Sequence, residues 1–274
     1  MKKLVTNVGL LAAMTAPLAY ADSYQTEVSL SYGQSERDPI ETDSYNVTGI
    51  AHFKTVDTKE HPLEEAAFLE RSSYVELGYT HDDTDDGTDD DNKDNTFNMG
   101  VHLNTGERYF IDLDLIKSNM ENADLFGAGL GFGAYVQDNI TVDVSYLDLT
   151  FEPDGGSKVT GAGYGVSGRG VFELGGQQAI AVEGGFTVID FDSGVDNQEI
   201  FSVEGRYYFL RTTHVGLGYS MTSSDDEDVD GFTLEAQHFI TPIIAVGASF
   251  GQESSDDDDT EDTDEYSLWA KVRF

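Results

Sequence analysis

The chain has 274 residues, with 52 Asp and Glu against 15 Lys and Arg, a formal charge of -37 and only 39% hydrophobic residues. Beyond the N-terminus no apolar run reaches about 18 residues, which excludes a helical multi-span membrane protein; the acidic balance excludes nucleic acid as a partner, because phosphate binding needs a basic face. There is no cysteine, so neither disulfides nor Cys-ligated zinc hold the fold, and the 14 Tyr, 16 Phe and 29 Gly, with apolar residues recurring at a fixed period, do not suit a disordered acidic tail.

Lys2 and Lys3, a mostly apolar stretch over 4–16 and Ala19-Tyr20-Ala21 read as a secretory signal peptide cut after Ala21. Residues 1–21 are therefore expected to be a targeting segment and residues 22–274 a single domain. From there on apolar residues alternate with small or polar ones, as in Tyr24, Val28, Leu30 and Tyr32, or Phe97, Met99, Val101 and Leu103. Segments of roughly ten such residues are the length a tilted strand needs to cross a bilayer. The pattern predicts strands near 24–33, 44–54, 72–81, 95–103, 108–117, 124–136, 140–151, 158–174, 179–190, 198–209, 214–222, 231–239, 243–251 and 265–274. The fold class expected is thus all-β, a transmembrane antiparallel barrel of about fourteen strands. Twelve or sixteen stay open, because 140–151 change phase around Leu147 and 158–174 are long and glycine-rich.

Short connections alternate with longer Asp-rich ones at 82–94, 225–230 and 253–265, as expected when short turns face the periplasm and acidic loops face the exterior. The exception is 55–71, where His61 to Leu69 reads as a short helical turn; no long loop looks able to fold inward. In lipid every backbone group must be paired, so such a sheet must close on itself.

The inward face is expected to carry the acids Glu27, Glu76, Asp112, Asp114, Asp143, Glu173, Glu183, Glu204 and Glu235 and the bases Lys54, Arg108, Arg169, Arg206, Lys271 and Arg273. All six bases fall near the periplasmic strand ends. Two readings follow: a cation-attracting outer mouth above a mixed-charge constriction, or charges that pair with one another and stiffen the wall. Glycines at 127, 129, 131 and 133 and at 161, 163 and 165 would thin the wall and ease its curvature.

Several motifs are decoys. Asp226, Asp228 and Asp230 before Gly231 match the first half of a calcium-binding EF-hand loop, but Gln237 stands where the bidentate Glu belongs. Gly163, Gly165 and Gly168 satisfy a dinucleotide pattern with no helix after them. His81 amid Asp82, Asp83 and Asp85 is the best place for a hydrolytic His-Asp pair, although a solvated loop histidine accounts for it as well.

The chain ends Tyr266, Leu268, Ala270, Val272, Phe274, apolar at every second position with an aromatic last. This resembles the C-terminal strand of Gram-negative outer-membrane β-barrels, and the resemblance implies that Tyr266, Leu268, Val272 and Phe274 act as a signal for the barrel assembly machinery. The stretch Pro62-Leu63-Glu64-Glu65-Ala66-Ala67-Phe68-Leu69 resembles a segment of the general porin family of proteobacteria. That likeness implies an outer-membrane channel, set among lipid and lipopolysaccharide, that passes ions and small hydrophilic solutes by diffusion with no catalysis and no cofactor. A barrel that does not conduct, whether adhesive, structural or a lipid- or peptide-hydrolysing enzyme, is the alternative, and the oligomeric state is not legible.

Overall fold

A computed structural model describes residues 22–37, 39–85, 87, 92–192, 197–224, 228–256 and 262–274. The expected signal peptide, residues 1–21, and Asp226 of the calcium-loop pattern lie outside the described residues.

The chain forms fourteen antiparallel strands: β1 (Ser23–Arg37), β2 (Ile40–Asp57), β3 (Tyr74–Asp85), β4 (Asn92–Asn104), β5 (Tyr109–Met120), β6 (Ala123–Gln137), β7 (Ile140–Pro153), β8 (Val159–Gly175), β9 (Gln178–Phe191), β10 (Gln198–Leu210), β11 (Thr213–Ser223), β12 (Asp228–Thr241), β13 (Ile244–Ser255) and β14 (Thr263–Arg273). Each strand pairs with its neighbours in sequence, and β1 closes the barrel on β14 with Val28 opposite Val272 and Glu27 opposite Arg273. Closure removes the unpaired edges that lipid cannot solvate.

The strands run further than hydropathy alone indicates. β3 extends to Asp85 and β4 begins at Asn92, so much of the acidic stretch 82–94 is paired strand; the same holds at Asp228 and at Thr263 to Glu265. Carboxylates there face water on both sides of the sheet, and the backbone ladder continues whatever the side chain. β7 pairs with β8 without interruption, so the phase change at Leu147 is not a break. Leu147 and Leu149 point inward while Asp148 sits exposed on the outer face between Ala128 and Ala162.

The outer face is the apolar one. Leu77, Phe97, Leu115, Leu130, Val144, Tyr164, Leu217 and Leu234 are among many large side chains exposed there, and aromatic rings meet across strands as Tyr32–Tyr45, Tyr146–Tyr164 and Phe232–Phe250–Tyr266. Such an apolar band with aromatic girdles fits a bilayer.

The buried residues lie instead inside the barrel, at the end that carries the start of β1 and the end of β14. There the connection between β2 and β3 turns into the lumen and forms one short helix, α1 (Ala66–Leu69). Three clusters pack against it: Tyr24, Val56 and Ala66; Leu63, Phe239 and Ala245; and Phe68 and Leu69 on Val171, Ala179, Ala181 and Tyr208. Among the described residues every register irregularity is at this same end, beside Tyr24, Tyr135, Glu173, Tyr208 and Phe239. A bulge twists a strand locally and re-aims a side chain. Tyr24, expected on the lipid face from its spacing to Val28, is carried by its bulge into the interior and is buried. The expectation that no connection folds inward is thereby corrected.

Candidate functional site

The inserted connection has two adjacent carboxylates, and each is met by bases of the wall. Glu65 is fully buried, with Arg169 Nη2 at 2.5 Å and the Tyr208 hydroxyl donating to it at 2.6 Å; Arg206 stands 3.8 Å away. Glu64 accepts from Lys271 Nζ at 2.6 Å and from Gln237 Nε2 at 2.9 Å, with Arg273 at 3.7 Å. Burial by itself would raise the Glu64 carboxyl, but the Lys271 and Arg273 charges together hold it well below the usual carboxylate range. Arg273, itself buried, donates to Glu27 at 2.7 Å and to the Leu63 carbonyl at 2.7 Å, and lies over the rings of Tyr24 and Phe239.

The rest of the segment is tied down as thoroughly. Arg211 donates to the carbonyls of His61 and Thr58, Lys54 to that of Glu70, and the Leu63 amide to the Arg211 carbonyl. His52 bridges Ser72 at 3.0 Å and Glu27 at 3.2 Å. After α1 the chain turns at Arg71, whose positive φ of 49 is strained for a residue with a Cβ. Its guanidinium is held by Asp138, by the Glu107 carbonyl and over the Tyr135 ring. The segment thus touches strands from most of the circumference and lies across the lumen at this end.

Trp269 faces the same interior. Its indole lies flat over Gly247, where an added Cβ would stand 2.1 Å from the ring, and it donates to Gln237 at 2.8 Å, which in turn donates to Glu64. Gly133 seats Phe110 in the same way, with 2.1 Å to the ring. These glycines make room for inward aromatics, a more specific role than thinning the wall.

On the far side of α1 a cavity of about 430 Å³ is bounded by the segment on one side and by acids of the wall, among them Asp112, Asp143 and Glu183, on the other. Asp112 accepts from His102 at 2.6 Å and Asp143 from Ser167 at 2.7 Å. No ion pair reaches Glu76, Asp114 or Asp143 among the described residues. Glu204 and Glu235 share Arg206, at 2.6 and 2.9 Å, and His214 adds to Glu235; Glu183 stands 3.7 Å from Arg169. The structure therefore gathers Glu27, Glu183, Glu204, Glu235, Arg169, Arg206, Lys271 and Arg273 into one network around the inserted segment. Two expected members are elsewhere. Arg108 sits exposed in the turn before β5, over the outward ring of Tyr109, and Glu173 is exposed at the rim. Lys54 serves the segment's backbone and not an open lumen. Asp228 is occupied by Ser223 and the Asp256 side chain meets its amide, and no metal-holding group of His, Asp or Glu occurs among the described residues. His81 meets Asn95, and no carboxylate pairs with it among the described residues.

A family model described as "Putative general bacterial porin" matches residues 1–154 and 146–274, together the length of the chain. The chain belongs to that porin family. The crystal structure of the Acinetobacter baumannii outer membrane protein Omp33 matches with a TM-score of 0.64 at 22% identity, over 93% of this chain and 100% of that one. A bacterial polysaccharide outer membrane secretin matches with a TM-score of 0.55 at 9% identity, over 92% and 99%. At these identities the likeness is one of fold. No curated protein sequence matches. The porin accordingly sits in the outer membrane of a Gram-negative bacterium, its outer face in lipid and the turn-bearing end toward the periplasm.

What the sequence concealed in this porin is the segment's direction. Glu64 and Glu65 have the look of any exposed helical turn, and their partners lie 207 and 104 residues away. One signal was available: a Leu-Glu-Glu-Ala-Ala-Phe-Leu stretch is too apolar for a water-exposed turn.

Proposed function

We propose that the porin is a cation-preferring diffusion channel for ions and small hydrophilic solutes, narrowed at its periplasmic mouth by the segment 58–72. The observation that carries this reading is the division of charge. The lumen bases are engaged by Glu64, Glu65 and neighbouring wall acids, while Glu76, Asp114 and Asp143 make no ion pair among the described residues. A water-filled passage lined by uncompensated carboxylates raises the local cation concentration. The porin is refolded into a planar bilayer across a KCl gradient; the reversal potential is expected to lie toward the potassium equilibrium value. Clear anion selectivity would overturn the preference.

A second reading, a barrel that does not conduct and acts as an adhesive, structural or hydrolytic element, is favoured by one fact: the segment spans the mouth and is ion-paired on both carboxylates. Well-resolved single-channel openings of the folded protein would dismiss it, and electrical silence would support it. We further propose that Tyr266, Leu268, Val272 and Phe274 address the chain to the assembly machinery, that residues 1–21 are removed on export, and that lipopolysaccharide covers the exterior rim. The support is the alternating β14 and the residue after it, Phe274, which exchanges backbone hydrogen bonds with Thr26 of β1.

A further inference from the structure

From β5 to β9 the inner wall carries a pattern that a purely hydrophilic pore does not need. Across these strands one row reads Ile116, Gly127, Leu149, Gly161, Phe191 and the next row toward the periplasm reads Asp114, Gly129, Leu147, Gly163, Ile189. Large apolar side chains alternate with glycines, and over each of these glycines a neighbour's side chain is found. Ile116 and Leu149 lean over Gly127, and Leu147 with Ile189 over Gly163. Over Gly129 lies Asp114, with its Cβ 3.3 Å and its Oδ2 3.6 Å from where a Cβ would be. The strands are inverted here, with Asp148 and Asp190 exposed on the outer face, so the inward leucines do not serve lipid contact. One strand, β6, separates Asp114 from Leu147, about 10 Å of backbone, and Gly129 forms the floor between them with Asp114 over it.

We propose that this ledge is a selectivity site for organic cations with an apolar body, in which Asp114 takes the ammonium group and Leu147 and Leu149 take the alkyl or aryl portion. Charge complementarity fixes the occupant. The acids beside the ledge, Asp114 and, one row deeper, Asp112, face a lumen whose arginines and lysines are already engaged at the mouth, so an anion with the same apolar body is repelled where an ammonium is drawn in. An apolar surface beside a carboxylate binds a cation more tightly when the cation has a hydrophobic group to bury, by roughly tenfold if about half of a phenyl ring leaves water.

The inference rests on the channel reading for its substrate role, and two readouts keep the two apart. Block of potassium current by phenethylammonium, methylammonium and 3-phenylpropionate is compared on the refolded porin, and binding of the same three probes to the porin in detergent micelles is followed by saturation-transfer NMR. Phenethylammonium is expected to block about tenfold more strongly than methylammonium, and phenylpropionate not at all. In L147S/L149S the ratio of the two ammonium block constants falls toward one. Gly129→Val, which fills the seat between Asp114 and Leu147 without removing either, does the same should the double variant fail to fold. Equal block by the two ammonium ions in the unaltered porin, or a ratio unmoved by both variants, overturns the ledge. Selective phenethylammonium binding without any potassium current would uphold the ledge and overturn the channel.

Discussion

At the periplasmic end of the barrel the lumen is filled: tyrosines and Phe239 beside bulges grip an inserted segment whose two carboxylates are ion-paired. At the opposite end the ladder runs in regular register between strands that extend as paired acidic hairpins. The first region resembles the core of a soluble protein folded inside a membrane barrel. The second is held by backbone pairing and by lipid on its outer face. The contrast teaches that charge performs two tasks in one lumen, fastening at one end and setting the field in the rest.

That contrast can be broken most severely at Glu65. Removing one partner from a buried ion pair costs about 3–5 kcal/mol, because the remaining charges lose their compensation. The variant E64A/E65A is therefore expected to release the segment and raise single-channel conductance, with a shift in emission from Trp269, the sole tryptophan, whose partner Gln237 also holds Glu64. Unchanged conductance and emission would show that the segment does not narrow the passage.

A smaller effect is expected from steric disruption beside the segment. Gly247→Val pushes a side chain into the Trp269 ring, and forcing extra atoms into a packed interior costs about 1–3 kcal/mol. The same change at Gly205, where a Cβ would meet nothing within 4 Å, should stay within about 0.5 kcal/mol. Urea midpoints of the two variants in lipid vesicles measure the difference, and equal midpoints would deny that the packed end differs from the wall.

Acid provides a graded test. Glu64 is depressed in the docked state by Lys271 and Arg273 and would have an ordinary carboxylate value, near pH 4.3, once released into water. The released form then binds the proton more readily, so the stabilisation is fully present above about pH 4.5 and declines as pH falls toward the docked value. Conductance and Trp269 emission should move together, reversibly, as pH is lowered through about 4, and Glu64→Gln should flatten that response. The least effect belongs to Lys59, whose 3.5 Å pair with Asp22 is largely exposed: Lys59→Ala should change stability by less than about 0.5 kcal/mol, since water and salt screen such pairs.

The alternating pattern is enough to place about fourteen strands, with twelve or sixteen still open, and the lipid face, because side chains on a strand alternate strictly and a bilayer punishes any other arrangement. Residues such as Leu113, Val144 and Leu217 could hardly point anywhere else. Most of the charged residues of the candidate site could be assigned to the inner face by the same rule, among them Glu27, Asp112, Arg169, Arg206 and Arg273. Their partners could not be assigned. Bulges shift parity without any mark in the composition, which is how Tyr24 came inside. Arg108 left the lumen because a turn residue obeys no alternation.

The sequence by itself determined the barrel, since strand length and period are local properties that lipid reads residue by residue. Only the tertiary structure decided whether the lumen bases are free or spoken for. Lys271 and Arg273 meet Glu64, and Arg169 meets Glu65, across separations that exist only after closure brings β8, β10, β12 and β14 around one inserted segment.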